Sequence, residues 1–112
     1  MEKRYSEYTI PELRSEIGRL KARAQNAEQL GMINEFEVYQ RKMVMAEAYM
    51  MDPKDYNKGD VYELEGAVGE TFTISYLKGV FAWGTRRSVE GDIIDEEEAL
   101  PISLLKNKIE LY

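Results

Sequence analysis

The chain has 112 residues, 15 Lys and Arg against 21 Asp and Glu, and neither Cys nor His. Without those two residue types, disulfides, thiolate nucleophiles, imidazole bases and the usual zinc ligands are excluded together, and the length fits one small domain or a helical unit fused to a minimal barrel. The formal charge of −6 disfavours a global attraction to nucleic acid or anionic lipid.

The charge is unevenly shared: residues 1–51 hold eight Lys/Arg and eight Asp/Glu, residues 52–112 seven and thirteen. The opening MEKRYSEY has no apolar core of the kind that marks export, and no run of about 18 apolar residues appears. A cytoplasmic location without membrane spanning is expected. From Leu13 to Met50 apolar residues recur at spacings of three and four, whereas from Val61 onward they alternate with polar ones in short runs broken by glycine. This switch predicts an α+β chain: an N-terminal antiparallel helical hairpin (1–52) and a small five-stranded β-barrel (53–112), packed together as one compact unit.

Thr9-Ile10-Pro11-Glu12 reads as a helix start near Ile10, since Thr9 can cap a free amide, Glu12 can reach back three residues and Pro11 tolerates the first turn. Leu13, Ile17, Leu20, Ala24 and Ala27 then form a narrow stripe that becomes small at its far end. Gly31 suits the left-handed residue that ends the helix. Glu12 and Glu16 precede Arg19 and Arg23, an order that matches the helix dipole and allows a Glu16–Arg19 pair, so ordinary helix electrostatics is preferred over an anion site here.

A second helix, from Met32 or Ile33 to Met51, carries Met32, Phe36, Tyr39, Met43, Ala46 and Met50 on one stripe. Val38, Met45 and Tyr49 lie on another, about 120° away. One stripe faces the first helix. The other must meet the β half, a partner, or a second copy of the chain, and in the last case a homodimer through the second helix results.

Asp52-Pro53 stops the helix, and a first strand is expected at Val61–Leu64. Strands two and three, Thr71–Leu77 and Val80–Arg86, flank a Lys78-Gly79 turn. That register pairs Tyr76 with Phe81, Ile74 with Trp83 and Phe72 with Thr85, and predicts Trp83 buried beside Ile74 and Phe81. It requires a left-handed backbone at Lys78, at a cost of about 1 kcal/mol. The polar stretch Ser88–Glu98, with its run Asp95-Glu96-Glu97-Glu98, reads as a solvated acidic loop. It lacks the alternating ligands of a calcium loop, and no metal or cofactor is expected. A short strand at Ala99–Ile102, a tight helical turn at Ser103–Leu105 and a last strand through Ile109 and Leu111 complete the barrel.

Four segments carry a family resemblance: MEKRYSEYTIPELRSEI (1–17), AEQLGMINEFEVYQRKMVMAEAYMMDPKDY (27–56), FTISYLKGVFAWG (72–84) and EEEALPISLL (96–105). In this order they resemble the YfhH-like family of small uncharacterised bacterial proteins from Gram-positive spore formers. The resemblance implies a helical hairpin followed by a Src-homology-3-like barrel. It implies no established activity and therefore no catalytic residues.

The sequence holds no nucleophile with a base, no phosphate loop and no metal spacing, so no enzyme is expected. A protein-interaction module or adaptor is the favoured reading, with Tyr56, Tyr62 and Tyr112 available to an aromatic groove. Nucleic-acid binding is the alternative, because Arg86 and Arg87 follow an aromatic strand. Two adjacent arginines, however, point to opposite faces of a strand.

Overall fold

The computed structural model describes residues 3–110. The chain divides into two compact units, residues 1–50 and residues 51–112.

In the helical unit, a single 3₁₀ turn, Tyr5–Glu7, precedes helices α1 (Ile10–Gln29) and α2 (Ile33–Met50). The start of α1 is set by a complete capping box: the Glu12 amide donates to Thr9 Oγ1 at 3.3 Å and the Thr9 amide to Glu12 Oε1 at 2.9 Å. Its end is a Schellman motif, with Gly31 at φ +71°, its amide donating to the Glu28 carbonyl and the Met32 amide to that of Ala27. Leu13, Leu20, Ala24 and Ala27 are the buried residues of α1, as its stripe predicts, and Ala46 and Ala48 are those of α2.

In the second unit, a 3₁₀ turn at Pro53–Asp55 leads to strands β1 (Val61–Leu64), β2 (Ala67–Lys78), β3 (Phe81–Arg87) and β4 (Ile93–Pro101), then a 3₁₀ turn at Ile102–Leu104 and β5 (Leu105–Ile109). All ladders are antiparallel and the order is β4-β3-β2-β1-β5. Tyr62, Leu64, Phe72, Ile74, Val80, Ala82, Leu100, Ile102 and Leu105 supply the unit's buried apolar residues. The five expected strands are present, but the sheet they form is open, with β4 and β5 as its edges, and does not close into a barrel. Leu111 and Tyr112 lie outside the described residues.

The β2–β3 register differs from the expected one. The turn is Gly79-Val80, with Gly79 at φ +59° and Val80 at negative φ, the pattern of a II′ hairpin loop. Lys78 is thereby spared the left-handed region and pairs with Phe81, followed by Leu77 with Ala82 and Tyr76 with Trp83. A bulge at Ser75 then shifts the ladder, so that Ile74 faces Gly84 and Phe72 faces Arg86. Side chains alternate across a strand, so Ala82 and Gly84 sit on the core face with Phe72 and Ile74, while Phe81 and Trp83 lie on the opposite face. Gly84 is needed at this bend, because a Cβ there would overlap the Thr73 carbonyl oxygen.

The acidic stretch also departs from expectation, since Ile93–Glu98 belongs to strand β4. Two register shifts in the β3–β4 ladder hide the period of two from the sequence. The position explains the composition: β4 is an edge, and natural edges carry charge, bulges and proline to discourage pairing with another chain. Pro101 brings no N–H, and the Glu97 amide is taken by Asp95 Oδ1 at 3.3 Å.

Candidate functional site

The displaced register creates a surface that the sequence assigns to the core. Tyr76 and Trp83, opposite each other on β2 and β3, stack with ring centroids 5.7 Å apart and planes 6° from parallel. A parallel pair at that separation is the offset stack that the ring quadrupoles favour. Trp83 and Phe81 are half-buried, and Tyr76 is 45% exposed. Phe81 sits between Lys78 and Pro101, and Trp83 is flanked on its other side by Ala99. Lys78, Gly79, Phe81, Trp83 and Ala99 line an apolar groove of about 360 Å³. Gly79 and Ala99 leave it open because neither has a side chain long enough to fill it. The face is rigid at its base, since hairpin ladders run on both sides of β3.

The residues singled out from sequence do not converge on this face. Arg86 points to the core side and is neutralised: its Nη2 lies 2.6 Å and its Nε 2.9 Å from Glu98 Oε1, and Nη1 is 3.2 Å from Glu70 Oε1. Burial alone would lower the guanidinium pKa, and the hydrogen bonds and charges of Glu98, then Glu70, outweigh it and raise the value. Arg87 is on the aromatic face and donates from Nη1 to Thr73 Oγ1 at 3.4 Å. The adjacent arginines therefore take opposite faces, as strand alternation requires.

Tyr56 lies against the core tyrosine Tyr62, centroids 5.3 Å apart, and so does not join the Tyr76–Trp83 stack. Burial first, then the Asp60 charge, pushes the Tyr62 phenol up to about 12, and its hydroxyl donates to Asp60 Oδ2 at 3.4 Å. Burial, then Asp55, raises Tyr56. Tyr112 lies outside the described residues. Val38, Met45 and Tyr49 share one side of α2, Val38 exposed and the other two half-buried. They belong to the helical unit.

That unit has its own cavity, of about 750 Å³, lined among others by Tyr5, Tyr8, Glu12, Glu16, Arg19 and Lys42. Its carboxylates are already engaged. Arg19 holds Glu16 through two bonds of 2.8 and 2.9 Å, the pair expected from the i,i+3 spacing, and the Tyr5 hydroxyl donates to Glu16 Oε2 at 2.8 Å. Lys3 pairs with Glu12 at 2.8 Å. Among the described residues no buried side-chain polar atom lacks a partner, no group of three or more His, Cys, Asp or Glu is placed to hold a metal ion, and no helix is long and apolar enough to cross a membrane. The aromatic face of the second unit, by contrast, presents an apolar groove beside a partly exposed ring stack.

Sequence reasoning missed Tyr76, Phe81 and Trp83 as surface residues because an unbulged hairpin gathers them with Phe72 and Ile74. Gly79 signals the II′ tip, but either two-residue tip keeps Trp83 on the face of Phe72 and Ile74, and it is the bulge at Ser75, which no residue type in the sequence marks, that parts them.

Two comparisons bear on the chain. The model of a family described as "Protein of unknown function (DUF1811)" matches residues 3–106. The chain is also similar to "Uncharacterized protein YfhH" of Bacillus subtilis (strain 168), with 53% identity over 108 residues that cover 96% of this chain and 99% of the relative.

Proposed function

We propose, from the premise that this chain belongs to the YfhH-like family of proteins of unknown function (DUF1811), that it is a non-enzymatic cytoplasmic interaction module binding an extended segment of another protein. The observation that carries this reading is the stacked Tyr76–Trp83 pair beside an apolar groove on the sheet face opposite the core. Extended, proline-containing segments dock on such surfaces because proline rings pack on aromatic faces and the polyproline conformation loses little entropy on binding. The strand meander β1–β4, followed by a 3₁₀ turn and a β5 that returns beside β1, supports reading the sheet as Src-homology-3-like in connectivity.

The same face supports a second reading, single-strand nucleic-acid binding, in which bases stack on Trp83 and Tyr76 between Lys78 and Arg87. The neutralised Arg86 and the acidic β4 beside the face count against it. Trp83 is the only tryptophan, so its emission reports on the site directly. Titration with a synthetic proline-rich peptide should shift that emission. Tyr76→Ala and Phe81→Ser should each weaken binding about tenfold with unchanged far-ultraviolet circular dichroism. An oligothymidine that shifts the emission instead, with an affinity that falls steeply as salt rises, would establish the nucleic-acid reading. No response to either ligand would remove this face as a binding site.

A further inference from the structure

We infer that Lys78 selects what the aromatic groove accepts: an extended partner-protein segment in which an Asp or Glu adjoins the proline or other apolar residue that seats on Phe81 and Trp83. This deepens the interaction reading above and rests on it. Strand pairing places the contributing side chains on one face. Lys78 faces Phe81 and Tyr76 faces Trp83 across the β2–β3 ladder, while Pro101 and Ala99 face Phe81 and Trp83 across the β3–β4 ladder, and Lys78, Phe81, Trp83 and Ala99 line one groove with Gly79. Among the described residues Lys78 is the one charged member of that lining. It is exposed, and it forms no salt bridge among them.

The missing counter-charge follows from the surrounding chain. No Asp or Glu occurs between Glu70 and Glu90, a stretch that holds the whole paired length of the β2–β3 hairpin, or between Glu98 and Glu110. The carboxylates closest to this face by strand pairing are Glu96 and Glu97, which stand opposite Thr85 where the β3–β4 ladder shifts, and Glu63 on β1. Glu97 is four residues from Pro101, about 13 Å along its strand at 3.3 Å per residue, and β4 is two strands across from β2. Glu63 pairs with Thr71, seven residues along β2 from Lys78, and accepts from Asn107 Nδ2 at 3.2 Å. Both separations exceed the screening length of about 8 Å at physiological ionic strength. Arg87, the other cation on this face, pairs with Thr71 at the far end of the hairpin and donates to Thr73. A carboxylate entering the groove therefore meets Lys78 without displacing a partner, whereas an entering lysine meets a like charge at close range. One cation at one end suits a single carboxylate beside an apolar residue, not a run of phosphates.

The test uses the full chain, its single indole as reporter, and acetylated, amidated proline-rich peptides that differ at one position beside a proline pair, Glu in one and Lys in the other. The Glu peptide should bind about five- to tenfold more tightly, since the exchange turns an attraction worth a few-fold into a repulsion. Lys78→Glu should reverse the order and Lys78→Gln should abolish it, both with unchanged far-ultraviolet circular dichroism, and Arg87→Gln should leave it standing. Two peptides that shift Trp83 emission with equal affinity would overturn this inference and leave the groove reading intact, while silence with both would end that reading and this one with it. An order that survives in Lys78→Glu or vanishes in Arg87→Gln would put the selecting charge elsewhere and overturn the inference. So would displacement of the Glu peptide by oligothymidine, or a doubled mass in light scattering that Lys78→Glu abolishes, which would make a second copy the occupant.

Discussion

Truncating two aromatic residues of the central hairpin measures the register directly. Phe72 is fully buried on the core face, so Phe72→Ala removes a complete ring from a close-packed site and should cost about 3–5 kcal/mol. Trp83 lies on the other face and is half-buried. Trp83→Ala loses the Tyr76 stack, worth about 0.5–1.5 kcal/mol, and part of the indole's burial, for a total of about 1.5–2.5 kcal/mol when each Å² of apolar surface removed from water contributes about 25 cal/mol. The core variant should therefore be the less stable, by about 2 kcal/mol at the middle of the two ranges, which for a chain near 100 residues is a melting-temperature gap of roughly 8 °C. Because Trp83→Ala removes the only indole, unfolding should be followed by circular dichroism in urea for both variants. Equal losses would mean that the indole carries core packing, and the bulged register would be refuted.

Gly84→Ala drives a Cβ into the Thr73 carbonyl and should lower stability by about 1–3 kcal/mol, whereas Gly18→Ala, in mid-helix with open space around it, should raise it by about 0.5–1 kcal/mol; chemical denaturation of the two single variants checks the opposite signs. Thr9→Ala breaks the capping box and should cost about 1 kcal/mol, seen as a lower urea midpoint and faster amide exchange at the start of α1. Acidification should weaken the helical unit: Glu16 is held below the ordinary carboxylate value of 4.5, chiefly by the Arg19 hydrogen bonds, and Glu12 at about 2 by Lys3 and the Thr9 cap. Depressed carboxylates stabilise the fold above their unfolded values and lose that contribution as pH falls through the folded ones. Stability should accordingly decline between about pH 4.5 and 2, and Glu16→Gln should flatten the decline in the α1 amide-exchange profile; a pH-independent profile for the unsubstituted chain would contradict these pairings.

Local chemistry was enough to read the helical hairpin and the positions of most strands. Thr9, Pro11 and Glu12 act within one turn, Gly31 acts within the next, and the Leu13-to-Ala27 stripe needs only a period, so each could be recognised before any partner was known. The resemblance added the family, and no activity with it. The Trp83 face could not be read this way, because a hairpin with Lys78-Gly79 or Gly79-Val80 at its tip satisfies the same alternation, and only the bulge at Ser75 moves Phe72 and Ile74 to the other face. Packing broke the tie: Gly84 fits against the Thr73 carbonyl where no larger residue would, and that contact places Phe72 and Ile74 inward and Trp83 outward. Likewise, the acidic residues of β4 looked like a loop because a strand at an open edge has no buried face at that end to impose a period, and only its pairing with β3 identifies it as a strand.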